Sequence, residues 1–141
     1  MSDGWDDATP GVLTLPSGRR VRGRAWRHVP PGPLPDLGVY LLTHQPRAPA
    51  WDSRWVRWRD FSLPARPALL RAVLVEVWAR AADERVEVAC RGGIGRTGTA
   101  LACLAILDGV RPAQAVAFVR AGYRARAVET RVQAAFVAAF R

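Results

Sequence analysis

Short apolar runs, separated by glycine, proline and polar residues, make up the first half of the chain. Runs of this length, some of them alternating between apolar and polar positions, predict β-strands. A proline-rich stretch at 29–36 and a loop at 45–50 predict the connections between them. The predicted strands are a hairpin formed by residues 12–15 and 19–26, a buried strand at 37–43, and a strand at 55–61 that runs into a loop.

Helical spacing replaces this pattern in the second half of the chain. Apolar residues recur three or four positions apart from residue 67 onward, and Pro67 suits the first turn of a helix. A short strand is predicted at 86–89. Because strands and helices alternate, we predict an α/β fold, a single domain with a central, mostly parallel sheet flanked by helices. The predicted helices cover residues 67–82, 97–107 and 112–121, and a fourth carries Val128, Val132, Phe136 and Phe140 at four-residue intervals.

The composition is that of a globular domain, with 141 residues of which 50% are hydrophobic and 23% charged. We expect residues 1–10 to form a flexible N-terminal tail and residues 11–141 to form one domain. The tail is acidic, unlike a secretory signal, and no apolar run approaches the roughly 18 residues of a membrane span. The expected location is therefore the cytoplasm, with no membrane partner.

All 21 basic side chains are arginine, and together with 12 acidic residues they give a net charge of +9. This excess has two interpretations: it is the solvated surface of an arginine-biased chain, or it attracts anionic substrates. Because no nucleic-acid-binding motif accompanies the charge, no nucleic-acid partner is expected.

The segment 90–98, with the sequence CRGGIGRTG, joins the predicted strand at 86–89 to the predicted helix at 97–107. Ligand sites in parallel sheets lie beyond the carboxyl ends of strands, and Cys90 follows such an end. Glycines allow successive backbone N–H groups to converge on one anion, and the N-terminus of a helix adds positive charge there. A thiolate is a strong nucleophile, and the planar guanidinium of Arg96 matches two phosphoryl oxygens. The segment therefore predicts an oxyanion site with Cys90 as the nucleophile.

Three other kinds of site share parts of this pattern. Gly93-x-Gly95-x-x-Gly98 matches a dinucleotide-binding fingerprint, but that site requires a second strand ending in an acidic residue about 20 positions later, where this sequence predicts a helix. A nucleotide P-loop would need glycine in place of Cys90 and lysine in place of Arg96. The third is a buried structural cysteine in a tight turn, which leaves Arg96 and the neighbouring glycines without an explanation.

The spacing Cys-x5-Arg-[Ser/Thr], here Cys90 to Arg96 followed by Thr97, resembles the signature loop of the cysteine-based protein tyrosine and dual-specificity phosphatases. A second loop of that family reads Trp-Pro-Asp-Phe-Gly-x-Pro. Residues 58–64 match four of its six specified positions, and Asp60 lies 30 residues before Cys90. Asp52 lacks this flanking match. The resemblance covers about residues 55–136 and implies a compact phosphatase domain.

A late segment of tyrosine phosphatases ends in Val-Gln-Thr-x-x-Gln, and its glutamines position the hydrolytic water. Gln133 matches the second glutamine, whereas Glu129 replaces the first. The resemblance implies Cys90 as nucleophile, Asp60 as general acid and then general base, and Gln133 as the residue that places the water. Thr97 would donate a hydrogen bond to the sulfur.

The resemblance also implies what the loop binds. Its substrate would be a phosphoprotein or phosphopeptide, and phosphate, sulfate or vanadate would occupy the same place. No cofactor and no metal is implied, and neither His28 nor His44 has partners at metal-ligand spacing. The residues implied to hold the phosphoryl group are Arg91, Gly92, Gly93, Ile94, Gly95 and Arg96.

Two departures from the family pattern lie beside the predicted reacting groups. Ala89 stands where the family usually has a histidine that fixes the loop, and Arg59 stands where it has proline. The alternative to a protein phosphatase is therefore a catalytically weak phosphate- or sulfate-binding module. Cys103 is interpreted as a core residue or as a resolving thiol. The sequence leaves open whether phosphotyrosine or phosphoserine and phosphothreonine are preferred, since Tyr40 fits a strand core and Tyr123 follows a helix.

Overall fold

The computed structural model describes residues 4–30 and 32–141. Four of the five strands lie in the first half of the chain, and helices make up most of the second, as the apolar pattern predicts. The elements, in chain order, are β1 (Val12–Thr14), β2 (Arg20–Ala25), β3 (Leu37–Leu42), β4 (Asp52–Arg57), α1 (Pro67–Arg80), β5 (Val86–Cys90), α2 (Gly95–Leu107), α3 (Pro112–Gly122) and α4 (Arg131–Ala139).

The five strands form one sheet in the order β1-β2-β5-β3-β4. β1 is antiparallel to β2, and the other neighbours are parallel. β5 lies in the centre of the sheet and is buried along its whole length, as expected for a parallel strand covered on both faces. The register pairs Cys90 with Ala25 of β2, and Ala89 with Tyr40 of β3. The predicted α/β fold with a mostly parallel sheet is confirmed.

All four helices contribute to a core on one face of the sheet, where alternate side chains of β3 and β5 meet them. α2 is the central helix and contacts α1, α3 and α4. Its residues from Gly95 to Ala105 are buried, because this helix is apolar nearly all round. The first turn of α2 is thereby fixed beside the end of β5. Among the described residues, no helix is both long and apolar enough to cross a membrane.

The opposite face of the sheet carries aromatic rings and a buried ionic cluster. Glu87 of β5 is fully buried, and it accepts hydrogen bonds from Arg24 Nε at 2.9 Å and from the Tyr40 hydroxyl at 2.7 Å. Arg22 pairs with the same carboxylate. Burial raises the pKa of Tyr40, and the charge of Glu87 raises it further. Two arginines and one tyrosine satisfy the carboxylate, which a buried ion requires.

Trp5 departs from the expected flexible tail. Its ring is only 1% exposed, its indole N–H donates to the Val86 carbonyl at 2.6 Å, and the Arg22 guanidinium lies 4.1 Å from the ring centroid. A desolvated, hydrogen-bonded ring anchors its segment, so the residues around Trp5 are attached to the sheet. Residues 1–3 of the predicted tail lie outside the described residues.

Two element bounds differ from the predicted ones near the functional segments. β4 begins at Asp52 rather than at residue 55, and ion pairs from Asp52 and Arg54 to α1 hold this polar edge strand. It ends at Arg57, so residues 58–61 are not strand. α4 begins at Arg131 rather than near Val128, because Val128 has a φ of 65° and cannot be helical.

Candidate active site

The residues from Cys90 to Arg96, here called the glycine loop, connect β5 to α2. Cys90 is 2% exposed, and its carbonyl accepts a 2.7 Å hydrogen bond from the Trp26 N–H. Gly93 has a φ of 71°, and a Cβ there would lie 2.7 Å from the backbone N of Ala25. Only glycine fits this position, because the conformation is left-handed and the adjacent backbone leaves no space for a side chain.

The N-terminus of α2 opens onto the glycine loop without a capping side chain. Ile94 precedes the helix and makes no side-chain cap, and the first turn contains no acidic residue. The first N–H groups of a helix lack partners within the helix and carry partial positive charge. An anion at this point would satisfy them.

Arg96 connects the glycine loop to residues 58–64, here called the acid loop. The Arg96 side chain is nearly buried; its Nη1 donates to the Trp58 carbonyl at 2.9 Å, and its Nε lies 3.6 Å from Asp60 Oδ1. The side chain of Asp60 is 49% exposed. A guanidinium and a carboxylate from separate loops therefore meet at one place.

Both groups line a cleft of about 570 Å³. Its apolar wall is formed by Trp26, Leu42 and Pro46. Thr43 and the cationic or titratable side chains of Arg27, His44 and Arg91 complete the wall. Neither Arg27 nor Arg91 forms an ion pair with any described residue, whereas Arg22, Arg24, Arg54 and Arg80 all do.

Two adjacent side chains carry buried polar atoms without a hydrogen-bond partner. Among the described residues that are not exposed, only Arg96 Nε, Thr97 Oγ1 and Arg20 Nε are in this condition. Folded proteins rarely leave such atoms unpaired. Two of the three atoms belong to the first turn of α2, where the glycine loop ends, so this turn has unused hydrogen-bonding capacity.

The acid loop is a compact turn with its own internal bonds. The buried Trp58 donates its indole N–H to the Ser62 carbonyl at 2.7 Å, and the Ser62 hydroxyl donates to the Arg59 carbonyl at 2.7 Å. Phe61 has a φ of 59°, which is unusual for a large side chain. The turn projects Asp60 into the cleft. Arg59, which replaces the proline of the family pattern, is within this turn.

Gln133, which the resemblance implies as the residue that places the water, has both ends of its amide hydrogen-bonded within the protein. It is fully buried, and its Oε1 accepts from the backbone N–H groups of Glu129 at 3.0 Å and Thr130 at 3.3 Å. Its Nε2 donates to the Ser62 carbonyl at 3.2 Å. The side chain thus completes a capping box at the start of α4 and also holds the acid loop.

Glu129, the residue in place of the family's first glutamine, contacts the glycine loop. The Glu129 carboxylate lies against the Cα of Gly95, so a Cβ on Gly95 would overlap Oε1. The preceding residue, Val128, is held in its left-handed conformation by Arg120, which donates to the carbonyls of Ala127 at 2.8 Å and Val128 at 2.7 Å. The spacing of apolar residues in the sequence did not predict the left-handed turn at Val128.

The remaining residues singled out by the sequence lie away from the cleft. Ala89 is buried with Tyr40 and Leu42, on the face of the sheet opposite the helices. Cys103 is buried in the helical core, and burial raises the pKa of its thiol. Tyr123, which the sequence did not place in the site, packs against the helical core and contacts the glycine loop. Its hydroxyl donates to the Gly93 carbonyl at 2.6 Å.

A cysteine and an arginine on one glycine loop, between a central parallel strand and a buried helix and facing a carboxylate loop, define a cysteine-based phosphatase of the tyrosine and dual-specificity class. The comparison with protein families agrees. The chain belongs to the family described as "PTP-SAK: Swiss Army Knife protein, DSP-PTPase phosphatase domain", whose family model matches residues 62–137. The matched range includes Cys90, Arg96 and Gln133, and it begins just after Asp60.

Solved phosphatase structures share this fold. Tk-PTP in its active form is 26% identical with a TM-score of 0.61, over 70% of this chain and 72% of that chain. Kinase associated phosphatase, with its catalytic cysteine replaced by serine, is 16% identical with a TM-score of 0.69, over 92% of this chain and 93% of that chain. A mouse putative dual specificity phosphatase complexed with zinc tungstate is 16% identical with a TM-score of 0.61, over 95% of this chain and 87% of that chain. A search of curated protein sequences found no match.

Proposed function

We propose that the chain is an active protein phosphatase that hydrolyses phosphomonoesters through a cysteinyl-phosphate at Cys90. The observation that carries the proposal is a pair of buried atoms that form no hydrogen bond with any described residue, Arg96 Nε and Thr97 Oγ1, beside the uncapped N-terminus of α2. A phosphoryl group provides acceptors for the Arg96 atom and the backbone N–H groups. The thiolate of Cys90 provides an acceptor for the Thr97 hydroxyl.

In the first step, the Cys90 thiolate attacks phosphorus and a sulfur–phosphorus bond forms as the bond to the leaving oxygen breaks. Arg96 and the N–H groups of residues 91–96 hold the three equatorial oxygens through the transition state. Asp60 donates its proton to the departing oxygen. This assignment rests on the placement of Asp60 beside Arg96 at the cleft.

In the second step, water attacks the phosphorus of the cysteinyl-phosphate. Asp60, now a carboxylate, takes the proton of that water, and the sulfur–phosphorus bond breaks. The products are inorganic phosphate and the thiolate, which Thr97 stabilises with its hydroxyl. Atoms and charge balance without a metal or cofactor.

We assign Gln133 to the acid loop rather than to the water. Both ends of its amide are used inside the protein, and one of them holds the Ser62 carbonyl two residues after Asp60. Holding this carbonyl keeps Asp60 over the cleft. Gln133 therefore acts on the reaction through Asp60, as a positioning residue.

The cleft suggests the substrate. Its apolar wall of Trp26, Leu42 and Pro46 suits the ring of phosphotyrosine, and Arg27 and Arg91, which form no ion pair with a described residue, suit acidic flanking residues. We propose phosphotyrosine peptides as the preferred class and phosphothreonine peptides as the second. Competition between matched acidic and basic phosphopeptides tests this choice. A cytoplasmic location stays a prediction.

The second candidate is a phosphate- or sulfate-binding module with little turnover. One observation favours it: the residue before Cys90 is alanine, whose side chain makes no hydrogen bond to the loop. Such a module would keep the oxyanion affinity of the glycine loop. It would lack the step that releases the leaving group.

The decisive experiment is hydrolysis of para-nitrophenyl phosphate by the purified protein. We expect vanadate-sensitive release of para-nitrophenol that Cys90→Ser abolishes and Cys103→Ala preserves, together with a phosphoenzyme trapped by acid quenching. Absence of release with retained phosphate binding would establish the binding module instead. Release that survives in Cys90→Ser would remove the proposed mechanism.

A further inference from the structure

Tyr123 holds the middle of the glycine loop. Its hydroxyl donates a 2.6 Å hydrogen bond to the carbonyl of Gly93, 30 positions away in the sequence. We propose that Tyr123 is a positioning residue that directs the Ile94 N–H toward the bound phosphoryl group, and so performs the loop-fixing that Ala89 cannot. The inference rests on the proposed function, since it concerns the same oxyanion site.

The geometry of the peptide bond links the two atoms. In a planar trans peptide, the carbonyl of one residue and the N–H of the next point in opposite directions. Fixing the Gly93 carbonyl against Tyr123 therefore fixes the direction of the Ile94 N–H. Because glycine populates both signs of φ at little cost, this peptide could rotate readily if the carbonyl were released.

Three other carbonyls of the glycine loop accept hydrogen bonds. Their donors are backbone N–H groups or a side chain within α2. The Cys90 carbonyl accepts from the Trp26 N–H at 2.7 Å, and the Ile94 carbonyl accepts from the Gly98 N–H at 2.8 Å. The Gly95 carbonyl accepts from the Thr99 hydroxyl at 2.7 Å, within the first turns of α2. Of these described contacts, the one to Gly93 alone depends on a side chain from another element.

The position of Tyr123 is itself well defined. Its ring packs on Gly23 of β2, where a Cβ would lie 2.6 Å from the ring carbon Cζ. The Arg124 guanidinium carbon lies 5.5 Å from the centre of the same ring. Burial raises the pKa of Tyr123, and the nearby Cys90 raises it further, although Arg124 opposes them. An ordinary tyrosine is already protonated at neutral pH, so with a raised pKa the Tyr123 hydroxyl is able to donate there.

Ala89 cannot hold the Gly93 carbonyl in this way. Its methyl group packs with Tyr40 and Leu42 on the face of the sheet opposite the helical core. An alanine side chain also has no hydrogen-bonding atom. Tyr123 reaches the loop from the helical side instead, and Gly23 provides the space that its ring needs.

Tyr123→Phe tests the proposal because it keeps the ring on Gly23 and removes only the hydroxyl. We expect the inhibition constant for vanadate to rise by about 5- to 20-fold, the loss of one hydrogen bond to a backbone acceptor, with a similar fall in kcat/KM. The pH at which iodoacetate half-maximally alkylates Cys90 should move upward. Thr99→Val is the matched control. It removes the hydroxyl that donates to the Gly95 carbonyl, but the helix backbone also bonds that carbonyl, so we expect the inhibition constant for vanadate and kcat/KM to change by less than threefold.

A spectroscopic measurement separates positioning from folding. In ¹⁵N-labelled protein titrated with inorganic phosphate, the Ile94 amide signal should shift strongly in the native chain and weakly in Tyr123→Phe. Other core amides report whether the variant is folded, so the titration remains interpretable even if the variant is partly unfolded. Equal vanadate inhibition, equal alkylation profiles and equal Ile94 shifts in the two proteins would overturn the inference.

Failure of the proposed function and failure of the Tyr123 inference give different results. If the native chain binds phosphate but releases no para-nitrophenol, the catalytic proposal is wrong, while the phosphate titration still decides the role of Tyr123. If the native chain is active and Tyr123→Phe matches it in every measurement, the inference alone is wrong.

Discussion

The glycine loop and the acid loop both line one cleft, but they are built differently. The glycine loop joins the central strand to the buried helix, and backbone bonds, a left-handed glycine and the Tyr123 hydroxyl define its path. The acid loop follows an edge strand and exposes half of the Asp60 side chain. Distant groups hold it: the Arg96 guanidinium on the Trp58 carbonyl and the Gln133 amide on the Ser62 carbonyl.

The difference fits the role that we propose for each loop. Stabilising the charge of a phosphoryl transition state requires donors that are already in place, so the binding loop belongs in the rigid core. Proton transfer needs a group that admits substrate and water before it closes, so its loop is attached by few contacts. Arg96 links the two loops, because one of its nitrogens donates to the Trp58 carbonyl while its Nε, which forms no hydrogen bond with a described residue, is left for the proposed ligand.

The largest effect is expected from Arg96→Lys, because this variant changes the residue that links the glycine loop to the acid loop. Lysine cannot grip two oxygens and hold Trp58 at the same time, so kcat/KM should fall by at least about 10²-fold. Phosphomonoester hydrolysis measures the change. Arg47→Lys, at an exposed arginine outside the cleft, is the control. Similar rates for the two variants would mean that Arg96 does not bind the transferred group.

The next effect separates proton transfer from phosphate binding. Asp60→Asn should lower kcat by about 10²-fold and remove the alkaline limb of the pH–rate profile, because asparagine cannot donate the proton. Phenyl phosphate should lose more than para-nitrophenyl phosphate, since its leaving oxygen is more basic. Vanadate inhibition should persist. The exposed Asp83→Asn is the matched control, and an intact alkaline limb in Asp60→Asn would reject the assignment.

A smaller effect tests the attachment of the acid loop. Gln133→Glu keeps the oxygen that accepts from the start of α4 and replaces the donor to the Ser62 carbonyl by a repelling oxygen. We expect kcat to fall by about tenfold, the cost of roughly one hydrogen bond, with an unchanged inhibition constant for phosphate.

Thr130→Ala is the control for this variant. It removes the side-chain cap of α4 but leaves Ser62 untouched, so it should lower the free energy of unfolding by about 1 kcal/mol without the tenfold loss in kcat. If Thr130→Ala and Gln133→Glu lose activity equally, Gln133 acts through the stability of α4 and not through the acid loop.

The smallest effect concerns the backbone of the acid loop. Phe61→Gly removes an exposed side chain from a left-handed position, so the relief of strain and the greater freedom of the unfolded chain should nearly cancel. We expect the free energy of unfolding to change by less than about 1 kcal/mol, with kcat within threefold. Thermal melting and steady-state kinetics measure both. A large loss of kcat would show that the Phe61 ring contacts substrate.

Local sequence predicted most of the fold because apolar spacing is a local property. The bounds of α1, α2 and α3 and of the central strands fall within about two residues of the predicted ones. β4 and α4 were predicted less well. Ion pairs to α1 hold the start of β4, and the left-handed Val128 delays the start of α4. Both causes lie in contacts between elements, which a single segment does not reveal.

The candidate site divides in the same way. Cys90, Arg96 and Thr97 belong to one short segment, so the sequence alone determined that a thiol, a guanidinium and a hydroxyl surround one glycine turn. Only the tertiary structure decided what holds that turn and its partner loop: the Tyr123 hydroxyl on the Gly93 carbonyl, and the Gln133 amide on the Ser62 carbonyl. The physical reason is that a hydrogen bond joins atoms by distance in space, and the strand order β1-β2-β5-β3-β4 and the helices packed on that sheet bring together residues that lie far apart along the chain.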